Sequence, residues 1–376
     1  MKKPRVFLVS TAHPATDPRI VFKQCPTLAD RYEVFCALPR ADPMVCPGVR
    51  FIRLPYFRRV VWRVLLTSPL VLWHSIRLRP ALIHIYVPEL LPIAFVCRLL
   101  GIRVIYEVQE NLHRKLHVRT LNRGAGLELA FRWFDRLARR YLHLIFTEHG
   151  YLNTYTRLHK PHVVIYNYPL LSFLEPFRQP YQPNPHEPSL LLIGLLSPER
   201  AFDTLIEALL RVVVQYPHLE AHLFGKQAIS STYIEQFVSL SAIRSNVTLY
   251  GYTDQRQALL KATGATAGLA LLKPVGDYPE SYPTKLFEYM ALGLPVITSD
   301  FSLYRAVVER HDCGLCVSAE EPAAIARALL YLIEHPALAK AMGERGRRAV
   351  ETHYSWATES TKLLDFYELV LKKHRS

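Results

Sequence analysis

Residues Glu280 to Asp300 read E-S-Y-P-T-K-L-F-E-Y-M-A-L-G-L-P-V-I-T-S-D. Pro283, Thr284 and Lys285 form a helix start, and helical spacing places Leu286 and Met290 on one face. Gly293, Leu294 and Pro295 end that helix before an apolar strand at Val296, Ile297 and Thr298. Lys285 in the first turn opposes the helix dipole, a poor choice for helix stability and a good one for holding an anion at a helix N-terminus. An ordinary surface helix with Lys and Glu three apart gives the same pattern, so the rest of the chain must decide.

Working outward, strand and helix patterns alternate on both sides. Strands are expected at Val6–Ser10, Tyr32–Leu38, Phe51–Leu54, Leu82–Tyr86, Arg103–Val108, Leu144–Thr147 and Val163–Tyr166. Helices are expected near Lys23–Asp30, Trp62–Leu78 and Pro88–Leu100. Six prolines between Pro169 and Pro188 read as a linker. The alternation then resumes with strands at Ser189–Gly194, Glu220–Phe224, Val247–Tyr250 and Gly268–Leu272, and helices at Ala201–Val214, Tyr233–Leu240 and Gln255–Ala262. Amphipathic helices over Pro322–His335, Pro336–Thr352 and Trp356–Lys372 finish the chain. The pattern predicts α/β units with parallel sheets covered by helices, and ligands at strand C-terminal ends in a cleft between two halves.

Composition sets the class. The chain has 376 residues, 50% hydrophobic and 21% charged, which fits two folded domains. A formal charge of +14 implies an anionic partner, and Arg is concentrated between residues 50 and 140. No nucleic-acid motif accompanies that charge. Cys25, Cys36, Cys46 and Cys97 are scattered among apolar neighbours, as buried reduced thiols are. Cys313 and Cys316 have C-x-x-C spacing beside His311, without the second Cys/His pair a zinc site needs. Met1 to Ser10 reads as a first buried strand, not a signal peptide, and no run of eighteen apolar residues spans a membrane.

Five segments carry a family resemblance: His13-Pro-Ala-Thr-Asp17-Pro-Arg19-Ile20, Ile105-Tyr-Glu-Val-Gln-Glu110, Ile165-Tyr-Asn167-Tyr-Pro169, Gly194-Leu-Leu-Ser-Pro-Glu-Arg200 and Pro283 through Pro295. Together they resemble the family 4 retaining glycosyltransferases, the glycosyl transferases group 1, over nearly the full length. The resemblance implies the GT-B fold, an α/β architecture of two Rossmann-like domains facing each other across a cleft. The implied domains are 1–175, acceptor-binding; 176–188, the Pro-rich linker; 189–355, nucleotide-sugar-binding; and 356–376, a C-terminal helix returning to the first domain. It implies transfer of a sugar, hexosyl in type, from a nucleotide-sugar donor to an acceptor hydroxyl, with no separate cofactor.

The family's spaced glutamates match Glu280 and Glu288, the second binding ribose hydroxyls and the first meeting the sugar. The usual Gly-Phe-Gly after the first is Ser281-Tyr282-Pro283 here, and Pro283 lacks a backbone donor. Arg200, followed by Ala201 in place of the common Gly, matches the phosphate-binding cation, with Lys285 the second, and Thr284, Gly225 and Tyr252 complete the donor side. This pair makes a divalent metal unnecessary, and no Asp-x-Asp motif is present to bind one. Gln109 stands where relatives often carry a His against the donor sugar; it hydrogen-bonds but carries no proton. Glu280, Gln109 and Arg200 are therefore the catalytic candidates. His13, Asp17, Arg19, Glu110 and His113 are the acceptor-side candidates, with Arg19 either meeting an acceptor phosphate or capping its own helix, and His113 either standing in for the missing His or lying on the surface.

The stretch from Pro55 to Trp73 mixes Tyr56, Arg58, Arg59, Trp62 and Arg63 with aliphatic residues. It reads either as an interfacial segment on an anionic bilayer or as a helix packed on the sheet. The first reading implies a lipid-linked acceptor and a cytoplasmic protein peripheral on the inner face of the cell membrane. A sugar-nucleotide epimerase of the same fold and a non-catalytic nucleotide-binding protein are the alternatives.

Overall fold

The structure, a computed structural model, describes residues 3–42, 46–111, 113, 125–228 and 243–372. The helix expected over Tyr233–Leu240 lies outside them. The chain divides into two compact units, Met1–Asn167 with Ala357–Ser376, and Tyr168–Trp356.

The first unit holds a seven-stranded sheet in the order β3-β2-β1-β4-β5-β6-β7. Its strands are β1 (Arg5–Val9), β2 (Glu33–Pro39), β3 (Val49–Leu54), β4 (Leu82–Ile85), β5 (Arg103–Val108), β6 (His143–Phe146) and β7 (His162–Val164). Every pairing is parallel. Val6 through Val9 have no exposed surface, the continuous apolar run that a sheet covered on both faces requires. The strand order reverses between β1 and β4, so their following loops open the switch point of this sheet. The C-terminal helix Trp356–Leu371 contributes Tyr367, buried against His84 of β4.

The second unit holds a six-stranded parallel sheet in the order β10-β9-β8-β11-β12-β13. Its strands are β8 (Ser189–Ile193), β9 (Glu220–Phe224), β10 (Val247–Gly251), β11 (Ala267–Ala270), β12 (Val296–Ser299) and β13 (Gly314–Val317). The helices Phe202–Val213 and Pro322–Glu334 bury Leu205, Leu209, Leu329 and Leu332 in one core, each side chain contributing about 1.5–3 kcal/mol. Here the order reverses between β8 and β11, which fixes where a ligand of this sheet binds.

Two boundaries differ from the sequence reading. The first unit ends at Asn167 instead of residue 175, and residues 176–188 belong to the second unit. Tyr181 packs on the second core and donates its hydroxyl to Thr266 O at 2.8 Å, which ties the Pro-rich segment down. Of the C-x-x-C pair, Cys313 is buried just before the short edge strand β13 and Cys316 lies within it, while His311 turns to the Tyr354 hydroxyl at 3.1 Å.

Candidate functional site

The helix expected after Pro283 runs Thr284–Ala291, with Leu286, Phe287, Tyr289 and Met290 buried. Its attachment to the sheet depends on a single glycine. The Tyr289 ring lies over Gly268 of β11, where a Cβ would come within 2.3 Å of the ring. The Tyr289 hydroxyl accepts the Ile193 N–H at 2.8 Å, and burial pushes this phenol far up, so it stays a neutral hydroxyl. The helix N-terminus is thereby fixed beside the ends of β8 and β11.

A pocket opens at that switch point, lined by Leu192 to Leu196, Leu269 to Leu272, Pro283, Lys285 and Arg200. Its far wall is held by Ser299, which accepts the Leu272 N–H and donates to Leu272 O, both at 2.7 Å. Arg200 ends the short turn Pro198–Arg200, and Ala201 after it is left-handed at φ +55°. The glycine common in relatives at this position would adopt that conformation without strain. The guanidinium reaches over Gly194 and lies 5.7 Å from the Tyr278 ring. Its buried Nε makes no hydrogen bond among the described residues. A half-buried guanidinium with an unmatched donor has the chemistry to pair with an anion.

Lys285 is engaged differently. Its Nζ lies 2.5 Å from Glu288 Oε2, and Gln255 Nε2 donates to the same oxygen at 2.7 Å. The Lys/Glu spacing of an ordinary surface helix is therefore realised as an ion pair, both side chains under a quarter exposed, with Lys285 lining the pocket. Gln255 was not legible in the sequence as a site residue; it starts the helix Gln255–Leu260 behind the Asp254 cap. Thr284 opens the Lys285 helix with no side-chain cap bond. Glu280 sits in the turn Tyr278–Glu280, which Tyr304 fixes by donating to Tyr278 O and Ser281 O at 2.8 and 2.9 Å. Gly225 follows β9 and brings its backbone against Gly194, whereas Tyr252 is 87% exposed.

In the first unit the expected residues separate. Arg19 is 4% exposed; its Nε donates to Glu107 Oε1 and its Nη2 to Ile165 O, both at 2.8 Å. It neither caps its helix nor stands open to an acceptor phosphate, because the buried Glu107 charge requires it. Asp17 takes the capping role, accepting the Arg19 and Ile20 N–H groups at 3.0 and 2.9 Å. His113 does not substitute for the missing His: its Nε2 lies between Asp135 Oδ2 and Arg139 Nη2, packed against the Tyr155 ring. His13 meets the Ser10 hydroxyl through Nδ1 at 2.7 Å, at the sheet's switch point. Gln109 and Glu110 are half-buried just past β5, and Gln109 Nε2 donates to Glu107 Oε1 at 2.8 Å.

Glu107 is fully buried. Burial alone would raise its carboxyl, but the Arg19 charge beside it, with hydrogen bonding from Arg19 and His84, outweighs it and holds the group ionised. Burial likewise keeps His84 neutral.

Comparison with known proteins follows this geometry. A family model described as Glycosyl transferases group 1 matches residues 175–349. The chain is 25% identical over 193 residues to D-inositol 3-phosphate glycosyltransferase of Streptomyces avermitilis, covering 49% of this chain and 40% of that protein. It is 34% identical over 91 residues to phosphatidyl-myo-inositol mannosyltransferase of Mycobacterium leprae, covering 24% of each. The chain thus matches less than half the length of these curated relatives. Among solved structures, sucrose-phosphate synthase from Thermosynechococcus elongatus superposes with a TM-score of 0.76 at 19% identity, over 98% of this chain and 99% of that one. HepE of Anabaena, in complex with UDP and glucose, gives a TM-score of 0.74 at 13% identity over 97% and 99%. The fold is GT-B, and the likeness to the glycosyl transferases group 1 covers residues 175–349, within the second unit.

Proposed function

We propose that this chain transfers a sugar from a nucleotide-sugar donor to an acceptor hydroxyl, with retention of anomeric configuration. The observation that carries the reading is the Arg200 guanidinium, unmatched at Nε among the described residues, in a pocket shared with Lys285 at the second sheet's switch point. A guanidinium fork and an ammonium suit a diphosphate, binding it in the ground state and stabilising the charge that grows as it leaves. With that charge neutralised by side chains, the reaction as proposed needs neither a divalent metal nor a cofactor. Glu288, oriented by Lys285 and Gln255, accepts ribose hydroxyls, and Glu280 meets the sugar.

In the proposed step the anomeric carbon–phosphate bond breaks through an oxocarbenium-like ion. The acceptor oxygen bonds the same face, and its proton passes to the departing phosphate oxygen. Positioning and charge stabilisation then supply the rate. The relatives named above are transferases, which favours transfer over epimerisation or mere nucleotide binding. Incubation with a panel of nucleotide sugars and a lipid extract, followed by mass spectrometry, is expected to yield one glycosylated product that Glu288→Ala loses. Donor turnover without any acceptor would favour the epimerase reading, and stoichiometric binding without turnover the non-catalytic one.

The acceptor is proposed to be lipid-linked, met at an anionic membrane surface on the inner face of the cell membrane. Val61, Trp62, Leu65, Leu66, Trp73 and Ile76 are exposed along the helical run Val60–Leu78, each by about half. Arg58, Arg59, Arg77 and Arg79 flank them, and no acidic residue occurs between Asp42 and Glu89. An apolar stripe between basic ends matches a bilayer of anionic headgroups, each Arg contributing about 1 kcal/mol near the surface. No helix among the described residues is long and apolar enough to cross a membrane. In liposome flotation the protein is expected to rise with anionic vesicles at low salt and less so as salt increases; failure to bind at low salt refutes this surface.

A further inference from the structure

Glu107 is a buried carboxylate met by several donors besides its arginine. Arg19 Nε and Gln109 Nε2 both donate to Oε1 at 2.8 Å; Gln24 Nε2 donates to Oε2 at 2.6 Å, and His84 Nε2 lies 3.5 Å from that oxygen. Each of these groups is held from behind. The Tyr86 hydroxyl donates to Gln24 Oε1 at 2.5 Å, so the Gln24 amide has its nitrogen toward Glu107. His84 Nδ1 meets the Tyr367 hydroxyl at 2.6 Å, which holds the ring from the side away from Glu107. Neutralising one carboxylate takes one arginine, and a buried ion pair contributes little net stability by itself. The additional donors fill the carboxylate's remaining lone pairs and, in doing so, fix where it points.

The group at the open end of this network is Gln109. Its backbone carbonyl accepts from the Thr147 and Tyr151 hydroxyls at 3.2 and 3.3 Å, and its amide nitrogen is committed to Glu107. An ionised carboxylate only accepts, so the amide must turn its nitrogen to Glu107 and its oxygen away. No bond to that oxygen is formed among the described residues.

We infer that Glu107 is a positioning residue that locks the Gln109 amide with its oxygen outward, making Gln109 a hydrogen-bond acceptor for one hydroxyl of a bound sugar. The inference rests on the glycosyltransferase reading for the sugar, but not for the orientation of the amide. An unlocked glutamine rotates freely and offers donor and acceptor equally; the locked one spends one N–H on Glu107 and holds its oxygen outward, with its rotamer entropy already lost.

The test is a cycle of Glu107→Asp, Gln109→Met and the double variant, each checked for folding by circular dichroism. Shortening Glu107 keeps a negative charge near Arg19 while withdrawing the Oε1 that Arg19 and Gln109 share, and the cycle with Gln109→Met isolates the part that acts through Gln109. Each single variant is expected to lower kcat by about 10–100-fold, and the double variant no further than Gln109→Met alone. A Glu107→Asp penalty of equal size with and without Gln109 means a structural role and overturns the inference. A second readout is independent of activity. The Gln109 side-chain NH2 resonances, assigned by their loss in Gln109→Met, are expected to be widely split in the wild type and to collapse toward free-amide values in Glu107→Asp; free-amide values in the wild type overturn the inference. Should Glu107→Asp not fold, Gln109→Asn, one methylene too short for the contact, takes its place, and wild-type kcat in that variant overturns the inference. A wild-type chain that transfers no sugar sinks the proposed function, and the resonances then decide the orientation alone.

Discussion

Replacing Arg200 with Ala is expected to cut kcat/KM for sugar transfer by about 10²–10³-fold while leaving the protein as stable as before, or more so. The loss follows from the role proposed for the guanidinium, since removing one preorganised charge-stabilising donor costs about 2.7–4 kcal/mol of transition-state energy. The stability follows from its surroundings. With no hydrogen bond to the buried Nε among the described residues, the side chain pays a desolvation cost that only a bound anion recovers. Arg200→Lys is expected to recover only part of the rate, because an ammonium keeps the charge and loses the fork. The measurements are steady-state kinetics and thermal unfolding on the same preparations. A variant that loses activity and melts several degrees lower would make Arg200 a structural residue and remove it from the phosphate site.

Much of this site was readable because it is local. Lys285 and Glu288 are one turn apart, Arg200 follows β8 through a short turn, and the Thr284 helix carries start and stop signals in its own sequence. The strands were legible for the same reason: parallel strands covered on both faces announce themselves as apolar runs, and Arg103–Val108 and Glu220–Phe224 appear with the limits expected. The misses are of two physical kinds. The helices Ala125–Tyr141 and Ser302–His311 and the edge strand β13 were not expected. Clustered arginines in the first concealed an amphipathic period, and β13 is too short and too partly buried to read as an apolar run. The second kind is long-range. Arg19 and Glu107 meet across 88 positions of sequence, and His84 and Tyr367 across 283. Local pattern placed Arg19 in a loop at a strand end but carried no trace of the buried carboxylate that claims it.

Gly225→Ala is expected to be the most damaging single-methyl change in the second unit, lowering its stability by more than about 4 kcal/mol or preventing its folding. Gly225 has φ +146°, and a Cβ there would stand 1.6 Å from Gly194 O and 2.6 Å from Gly194 C. Both are backbone atoms, so no rotamer change relieves the overlap. Nor can either segment retreat freely: Gly194 N donates to Phe224 O and Gly225 N to Gly251 O, both at 2.8 Å, continuing the β8–β9 and β9–β10 registers past the strand ends. The methyl must force β8 and β9 apart beside the Gly194 to Leu196 wall of the pocket, so any folded fraction is expected to bind nucleotide sugar poorly. Gly251→Ala is the control. At φ +68° it is strained, yet nothing lies within 4 Å of its Cβ, and a left-handed alanine costs only about 1–2 kcal/mol. Thermal unfolding of the two variants should therefore separate widely. If Gly225→Ala melts within a few degrees of wild type, β8 and β9 are not as closely bound as their backbone contact implies. On this geometry, Gly225 lets two strand ends meet at the pocket wall, a role that needs no contact with a donor.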